Sequence, residues 1–169
     1  MQTTTRFTRS TVAAALAVAF AAVSSAAVAA PATANMNVTA NVVASCTIAV
    51  STDLAFGNYD PIVVNKATPL DVQGGIDTTC SNGSAPVITL SLGNNAAGAV
   101  RNMSDGTNDL SYEIYTENTH TTVWDDTTGL ALAAGTGLLV TTPVYGRIAE
   151  DQNVPVGAYS DVVVATVTF

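Results

Sequence analysis

The chain has few basic residues, one histidine and one tryptophan, and these shortages limit the functions that it can have. Of its 169 residues, five are Lys or Arg, whereas 13 are Asp or Glu. Only Lys66, Arg101 and Arg147 are basic beyond residue 34, where the net charge is −10. Three basic residues do not form a basic patch, so nucleic acid and anionic membrane surfaces are poor partners for this part of the chain.

Catalytic constellations are also missing. His120 lies between Thr119 and Thr121, and we expect it to be a solvent-facing strand or turn residue. It is the only histidine, so no Ser-His-Asp set can be assembled without it, and no Gly-x-Ser-x-Gly motif is present. Asp105, Asp109, Asp125 and Asp126 do not follow the EF-hand spacing and are interpreted as solvated turn residues. We therefore predict no enzyme activity, no metal and no cofactor.

The two cysteines are Cys46 and Cys80. In an exported chain such a pair predicts one disulfide, and a loop of this length stabilises the fold by roughly 3–4 kcal/mol in the chain-entropy model. A metal pair and two free thiols are the alternatives. No Cys-x-x-Cys motif or histidine cluster supports the metal alternative.

The first 34 residues have the layout of a secretion signal. Arg6 and Arg9 precede an Ala-rich apolar run over residues 12–23, and small neutral residues follow to residue 34. Small side chains at the −3 and −1 positions permit cleavage after Ala29 or Ala34. A membrane anchor is the alternative, but Ala is only weakly apolar and Ser24-Ser25 interrupts the run.

Beyond the signal the pattern predicts an all-β chain. Short segments rich in Val, Thr, Ile and Tyr are separated by Gly, Asn, Asp and Pro, as expected for a sandwich or barrel. The predicted strands cover residues 46–50, 62–64, 70–72, 76–80, 87–92, 110–116, 121–124, 138–148 and 159–169. We expect Trp124 and the tyrosines in the core or an interface, rather than on a carbohydrate-binding surface.

Two terminal segments stand out by their alternation. Residues 35–42 alternate polar and apolar side chains, with Met36, Val38, Ala40 and Val42 on one face, which predicts a strand with one buried face. The last segment places Val163, Ala165, Val167 and Phe169 on one face and ends on an apolar residue. An apolar strand of this kind is either deep in a sheet or held by another chain.

Several motifs together resemble the spore coat protein U domain family, which includes subunits of archaic, Csu-type chaperone–usher pili. Each motif is weak alone, but their order over the whole mature chain is fairly specific. They are Cys46-Thr47-Ile48, Leu54-Ala55-Phe56-Gly57-Asn58-Tyr59-Asp60-Pro61, Cys80, Arg101-Asn102-Met103, Leu110-Ser111-Tyr112-Glu113-Ile114-Tyr115, Trp124, Val144-Tyr145-Gly146-Arg147-Ile148 and residues 154–161. The chain departs from the family at Asp125-Asp126, where Gly is common, and at the small Ala40.

The resemblance implies an incomplete immunoglobulin-like β-sandwich that lacks its last strand. In this family a periplasmic chaperone first fills the resulting groove, and at an outer-membrane usher the N-terminal strand of another subunit then replaces it. By this resemblance Met36, Val38, Ala40 and Val42 would be the donor plugs. Val163, Ala165, Val167 and Phe169 would form the groove edge that the chaperone contacts.

The predicted organisation is a signal peptide over residues 1–34, a donor segment over 35–45 and a pilin-type sandwich over 46–169. The predicted function is a structural pilus subunit, exported through the periplasm, that polymerises head-to-tail into a surface fibre for adhesion and biofilm formation. A fibre-tip adhesin and a secreted coat or matrix protein with the same domain are the alternatives.

Overall fold

The computed structural model describes residues 28–169 and divides the chain into two units, residues 1–40 and 41–169. Most of the predicted signal peptide lies outside the described residues. In the first unit, residues 28–40 carry no regular structure and are exposed. Among the described residues, no helix is long and apolar enough to span a membrane.

The second unit contains eight strands in two antiparallel sheets. Sheet A has the order β1-β2-β7-β5-β4, and sheet B has the order β6-β3-β8. The strands are β1 (Cys46–Thr52), β2 (Leu70–Cys80), β3 (Val87–Leu90), β4 (Arg101–Ser104), β5 (Asp109–Tyr115), β6 (Leu130–Ala131), β7 (Leu139–Ile148) and β8 (Ala165–Thr168). The prediction of an all-β chain is confirmed.

The alternation along the strands places one face of each sheet in the core. In β5, Leu110, Tyr112 and Ile114 are buried, whereas the residues between them are partly exposed. Because successive side chains of a strand point to opposite faces, this pattern directs the three buried residues inwards. Ile88 and Leu90 from β3 of sheet B join the same core.

Trp124 packs against the core from the loop after β5. Its side chain is 1% exposed, and its indole Nε1 donates a hydrogen bond to the carbonyl of Ile88 at 2.8 Å. This agrees with the expected core position of the tryptophan. The indole nitrogen has its partner, so burial of this large side chain leaves no polar group unsatisfied.

Arg101 is a fully buried cation that joins the two sheets. Its guanidinium donates to the carbonyls of Leu90, Ser91 and Trp124 at 2.7–3.1 Å and pairs with the carboxylate of Glu113. Its side chain is 0% exposed. Burial of a charge is tolerated only where its hydrogen bonds are satisfied, so these partners explain the position.

The structure corrects several predicted strands. Residues 62–64 lie in a turn, residues 121–124 contribute only a bridge at Val123, and the last strand covers Ala165–Thr168 instead of 159–169. The two predicted strands at 70–72 and 76–80 are one strand, β2. The strands β4 and β6 were not predicted, because polar or very short segments carry little alternation.

Replacement of Arg101 by Met should strongly destabilise the fold. The variant leaves three carbonyls and Glu113 without their buried partner, and we expect the free energy of unfolding to fall by about 3–5 kcal/mol. Urea unfolding followed by the fluorescence of Trp124 measures the loss, in a chain that carries residues 35–45 appended after Phe169 through a flexible linker so that it stays monomeric. The control is Lys66→Met, which breaks an exposed pair with Asp151 and should change stability by less than about 1 kcal/mol. Equal effects would contradict the bridging role of Arg101.

Candidate functional site

The two sheets leave an open flank between β1 and β8. Sheet A ends on β1 and sheet B ends on β8. Within residues 28–169, β1 pairs only with β2, and β8 pairs only with β3. The outward edge of each strand therefore carries backbone groups without a ladder partner, which is the arrangement that accepts a further strand.

A cleft of about 1240 Å³ opens along this flank. One wall is formed by residues 52–62 after β1, and the other by residues 153–161 together with Val163 and Ala165. The floor consists of core side chains from both sheets, namely Ile76, Leu90, Leu110, Tyr112, Ile114, Val144 and Ile148. An opening of this size that reaches core side chains is unusual, because protein interiors are otherwise close-packed.

Two glycines shape the wall that follows β1. A Cβ on Gly146 of β7 would lie 2.8 Å from Cζ of Phe56, and one on Gly74 of β2 would lie 3.1 Å from Cδ2 of Leu54. Leu54 and Phe56 therefore cross the inner face of sheet A where the glycines leave space. The Phe56 ring then meets the ring of Tyr112 edge-on, with centroids 6.2 Å apart.

Hydrogen bonds hold the rest of this wall in place. The hydroxyl of Tyr59 donates to the carbonyl of Ala149 at 2.7 Å and accepts from the amide of Gln152 at 3.0 Å. The carboxylate of Asp60 accepts from the amides of Ile62 and Val63, both at 3.0 Å. The motif over residues 56–61 thus has a structural explanation as the rim of the cleft.

The opposite wall is fastened by Asp161. Its Oδ2 accepts a hydrogen bond from the Tyr112 hydroxyl at 2.7 Å, and its Oδ1 accepts from the amides of Asn94 and Asn95 at 2.8 and 3.2 Å. Burial and the adjacent Asp161 carboxylate raise the pKa of Tyr112. Gly93, at φ +88°, leaves room for this carboxylate, since a Cβ there would meet Oδ2 at 1.9 Å.

The predicted site residues are placed as follows. Val163 and Ala165 line the cleft, and Val167 packs against the core beside them. Phe169 lies outside the cleft lining and is 52% exposed. Met36, Val38 and Val42 are 86–90% exposed, and Ala40 is also exposed, in a segment without an assigned strand. The donor role of that segment remains a prediction.

The disulfide predicted between Cys46 and Cys80 is present. The two residues face each other at the first position of the β1–β2 ladder. The bond thus fastens one end of the edge strand β1 to sheet A. Its position keeps one border of the cleft attached where β1 begins.

Sequence reasoning missed two parts of the site: the wall at residues 52–62 and the contact between Tyr112 and Asp161. The first was recognised as a family-like motif but received no role. Its signal was the apolar pair Leu54 and Phe56 immediately after a strand. The second had no local signal, because 49 residues separate the hydroxyl donor from its acceptor.

His120 corrects the expected solvent-facing position. Its side chain is 6% exposed, and its ring packs edge-on against Tyr115 and Tyr145. Among residues 28–169, Nε2 has no hydrogen-bond partner, and it lies 3.8 Å from a carboxylate oxygen of Asp71. The residues that line the cleft do not include His120.

Two of the four acidic residues predicted in turns, Asp105 and Asp125, accept turn hydrogen bonds, whereas Asp109 is the first residue of β5. Asp105 accepts hydrogen bonds from the amides of Thr107 and Asn108, and Asp125 accepts from those of Thr127 and Thr128. These backbone hydrogen bonds lower the pKa of both carboxyl groups. Hydroxyl hydrogen bonds from Thr116 and Thr121 likewise lower the pKa of Glu117, to about 2. In the part of the chain that the structure describes, no cluster of three metal-ligating side chains occurs.

The fold and the cleft define a structural class of protein: a disulfide-bridged, all-β chain whose site offers backbone edges and apolar side chains. The model of the Spore Coat Protein U domain matches residues 32–166, and the chain belongs to that family. The family is structural and not enzymatic, as the sequence predicted.

Two similar proteins give this assignment context. Protein U of Myxococcus xanthus is 43% identical over 175 residues, which cover 95% of this chain and 98% of that protein. A solved structure, the CsuC–CsuE chaperone–tip adhesion subunit pre-assembly complex from the archaic chaperone–usher Csu pili of Acinetobacter baumannii, matches with a TM-score of 0.52 at 22% identity. The match covers 76% of this chain and 40% of the matched chain, and it concerns the fold alone.

Replacement of Tyr112 by Phe tests the polar contact across the cleft. Loss of the hydrogen bond to Asp161 should lower the free energy of unfolding by about 1–2 kcal/mol at neutral pH. A raised pKa means that folded Tyr112 keeps its proton where the unfolded residue loses it, so wild-type stability declines as the pH rises above about 10.

In the Phe variant, residue 112 does not ionise, so it adds nothing to the loss of stability at high pH. The stability difference between the two proteins should therefore narrow between about pH 8 and about pH 11. Urea unfolding at both pH values measures it, in a chain that carries residues 35–45 appended after Phe169, and the other tyrosines serve as a common background. A difference that stays constant across this range would contradict the assignment.

Proposed function

We propose that the chain is a structural pilus subunit that polymerises by donation of a strand between copies. In this proposal the domain is an immunoglobulin-like sandwich without its last strand, and residues 35–45 of another copy complete it. The observation that carries the proposal is the cleft of about 1240 Å³ between the unpaired edges of β1 and β8. The alternating segment 35–42 has the chemistry to fill it.

The fit rests on side chains as well as on backbone hydrogen bonds. Met36, Val38 and Val42 are large apolar plugs, and each contributes roughly 1.5–3 kcal/mol when it is fully buried. Ala40 contributes less and suits a shallower part of the cleft. The ladder hydrogen bonds on both sides of an inserted strand would add to a joint that opens very slowly.

The geometry of donation produces a filament. The donor segment and the cleft are different parts of the same chain, so each copy can give a strand to one neighbour and accept one from another. Such head-to-tail contacts do not close on themselves unless the rotation between copies happens to form a ring. A surface fibre that serves adhesion and biofilm formation is the corresponding biological role.

The same cleft requires protection before assembly. An exposed apolar cleft with two free strand edges promotes aggregation. We infer that a periplasmic chaperone occupies it first, along the β8 edge and residues 163–169, and that an outer-membrane usher exchanges it for the donor strand. The fold similarity to a chaperone–pilus subunit complex supports these partners.

A coat or matrix protein is the second candidate. The similarity to Protein U covers nearly the whole of that protein, and the matching family model carries the name of a spore coat domain. Strand donation could equally join subunits into such a layer. Electron microscopy of the assembled material separates the two candidates, because a pilus forms thin unbranched fibres. A tip adhesin has less support, since a terminal subunit has no use for a donor segment.

Substitution of Val38 by Asp should block donation without disturbing the acceptor body. A carboxylate on the inward face of the donor cannot be buried in an apolar cleft without a partner. We expect the variant to bind chaperone but to form few SDS- and heat-resistant oligomers, as resolved by electrophoresis without boiling. The matched control is Asn37→Asp, which adds the same charge on the outward face and should assemble. Normal assembly of Val38→Asp would refute the donor assignment.

A chain with residues 35–45 appended after Phe169 through a flexible linker should fold as a stable monomer. The appended strand occupies the cleft within its own chain, so neither polymer nor chaperone is needed. We expect a sharp thermal transition and a monomeric mass by light scattering. The unmodified mature chain should associate or melt broadly under the same conditions. A sharply melting unmodified monomer would count against an incomplete sandwich.

A further inference from the structure

Two exposed apolar patches lie outside the lining of the cleft, apart from Ile62 at its rim. The turn patch consists of Ile62, Val63 and Val64, which are 65–75% exposed. The strand-start patch consists of Leu138, Leu139 and Val140, which are 49–71% exposed. Leu139 and Val140 point to opposite faces of β7, so this patch surrounds the start of the strand. Single exposed apolar residues are ordinary, but runs of three consecutive ones indicate an interaction surface.

The turn patch is held rigidly. Besides the two amides bound by Asp60, the amide of Asn65 donates to the carbonyl of Asp60 at 2.7 Å, and its side chain donates to the carbonyl of Thr68 at 3.0 Å. Asn65 itself is 2% exposed. The turn therefore presents three apolar side chains to solvent from a fixed backbone. A fixed backbone reduces the conformational entropy that is lost when a partner binds.

The two patches lie at opposite ends of the domain. The turn patch comes just before Leu70, where β2 begins. Leu139 pairs with Thr79, next to Cys80, where β2 ends. The 11 residues of β2 separate these ends by about 33 Å. Cys46, where β1 begins after the donor segment, lies at the same end as the strand-start patch because it pairs with Cys80.

Charge also distinguishes the strand-start end. The segments that meet there, residues 45–49, 78–86 and 132–140, contain no charged side chain, whereas the chain beyond residue 34 carries a net charge of −10. Two copies of such an anionic body repel one another where their carboxylates meet. Their closest approach is therefore favoured where one of them presents a surface without charges.

The direction of the donor strand decides which ends meet. The strand β8 runs from Ala165, beside Leu90, to Thr168, beside Val87, so it points from the turn end towards the strand-start end. The strand β1 runs the opposite way, from Cys46 at the strand-start end towards Thr52, so a donor between the two borders is antiparallel to one of them and parallel to the other. In the contact described below, the donor is antiparallel to β8 and parallel to β1. A donor that is antiparallel to β8 leaves the cleft at the turn end with its C-terminal residue, Val42.

The short segment between the donor strand and β1 keeps the donating and the accepting copy close together. Only Val43, Ala44 and Ser45 separate Val42 from Cys46 of the same donor chain. Four Cα steps span at most about 14 Å. The strand-start end of the donor body must therefore lie close to the turn end of the acceptor.

We propose that the turn patch of each acceptor docks against the strand-start patch of the copy that donates to it. This contact rests on the proposed strand donation. It fixes the angle between successive subunits, and the fibre is stiffer than a string of domains joined by flexible tethers. The partner is thus a second copy of this chain, in an orientation set by the donor strand.

Single substitutions Val63→Asp and Leu139→Asp test the contact. Each places a carboxylate in the docked surface but leaves the cleft and the donor segment intact. We expect SDS-resistant oligomers to form as in the wild type, with a broader distribution of angles between neighbouring subunits and a shorter persistence length in electron micrographs. Val100→Asp is the matched control, since it charges an exposed valine (48% exposed) outside both patches.

A charge pair provides the second arm of the test. Val63→Lys combined with Leu139→Asp should restore the narrow angular distribution, whereas Val63→Asp with Leu139→Asp should not. Unchanged angles in the single variants would overturn the contact. Single variants that bind chaperone but fail to polymerise would also overturn it, because the patches would then act in strand exchange itself. Wild-type chains that form no SDS-resistant oligomers would instead overturn the proposed function, and with it this contact.

Discussion

The buried guanidinium of Arg101 is the interaction on which the rest of the domain depends. Arg101 lies on β4, the edge of sheet A that is farthest from β1, and it binds carbonyls of Leu90 and Ser91 at the end of β3. It therefore clamps the two sheets together along one flank. Two sheets that are held together on this side can remain apart on the other without losing their alignment. The cost of burying the charge is offset only because its carbonyl acceptors and Glu113 surround it.

On the open flank, small residues and hydrogen bonds hold the two walls of the cleft in place. Gly74 and Gly146 let Leu54 and Phe56 cross the inner face of sheet A, and Tyr112 binds Asp161 on the opposite side. Contacts within the domain thus hold both walls of the cleft in place. A preorganised cleft loses little conformational entropy when it binds a partner.

Much of the domain could be predicted from local patterns. The alternation in β5 and β7, the disulfide partners and the buried Trp124 all follow from periodicity or from residue type. The failures are equally physical. Residues 62–64 are β-branched and favour a strand, but the carboxylate of Asp60 binds two of the amides and closes a turn. Gly74-Gly75 has the composition of a break between strands, yet both residues pair with β7 and the strand continues through them. Glycine is required at these positions because neighbouring atoms leave no room for a Cβ.

By itself the sequence determined that the chain is an acidic, all-β protein with an alternating segment ahead of its first cysteine. Composition and period carry that information, since each residue contributes to it independently of distant partners. Only the tertiary structure decided where the domain is open. Which edges lie unpaired depends on the order of the strands, and the cleft joins residues 52–62 to residues 153–161, which are far apart in the chain. Such long-range juxtapositions arise from the packing of the whole chain, and no local window of sequence contains them.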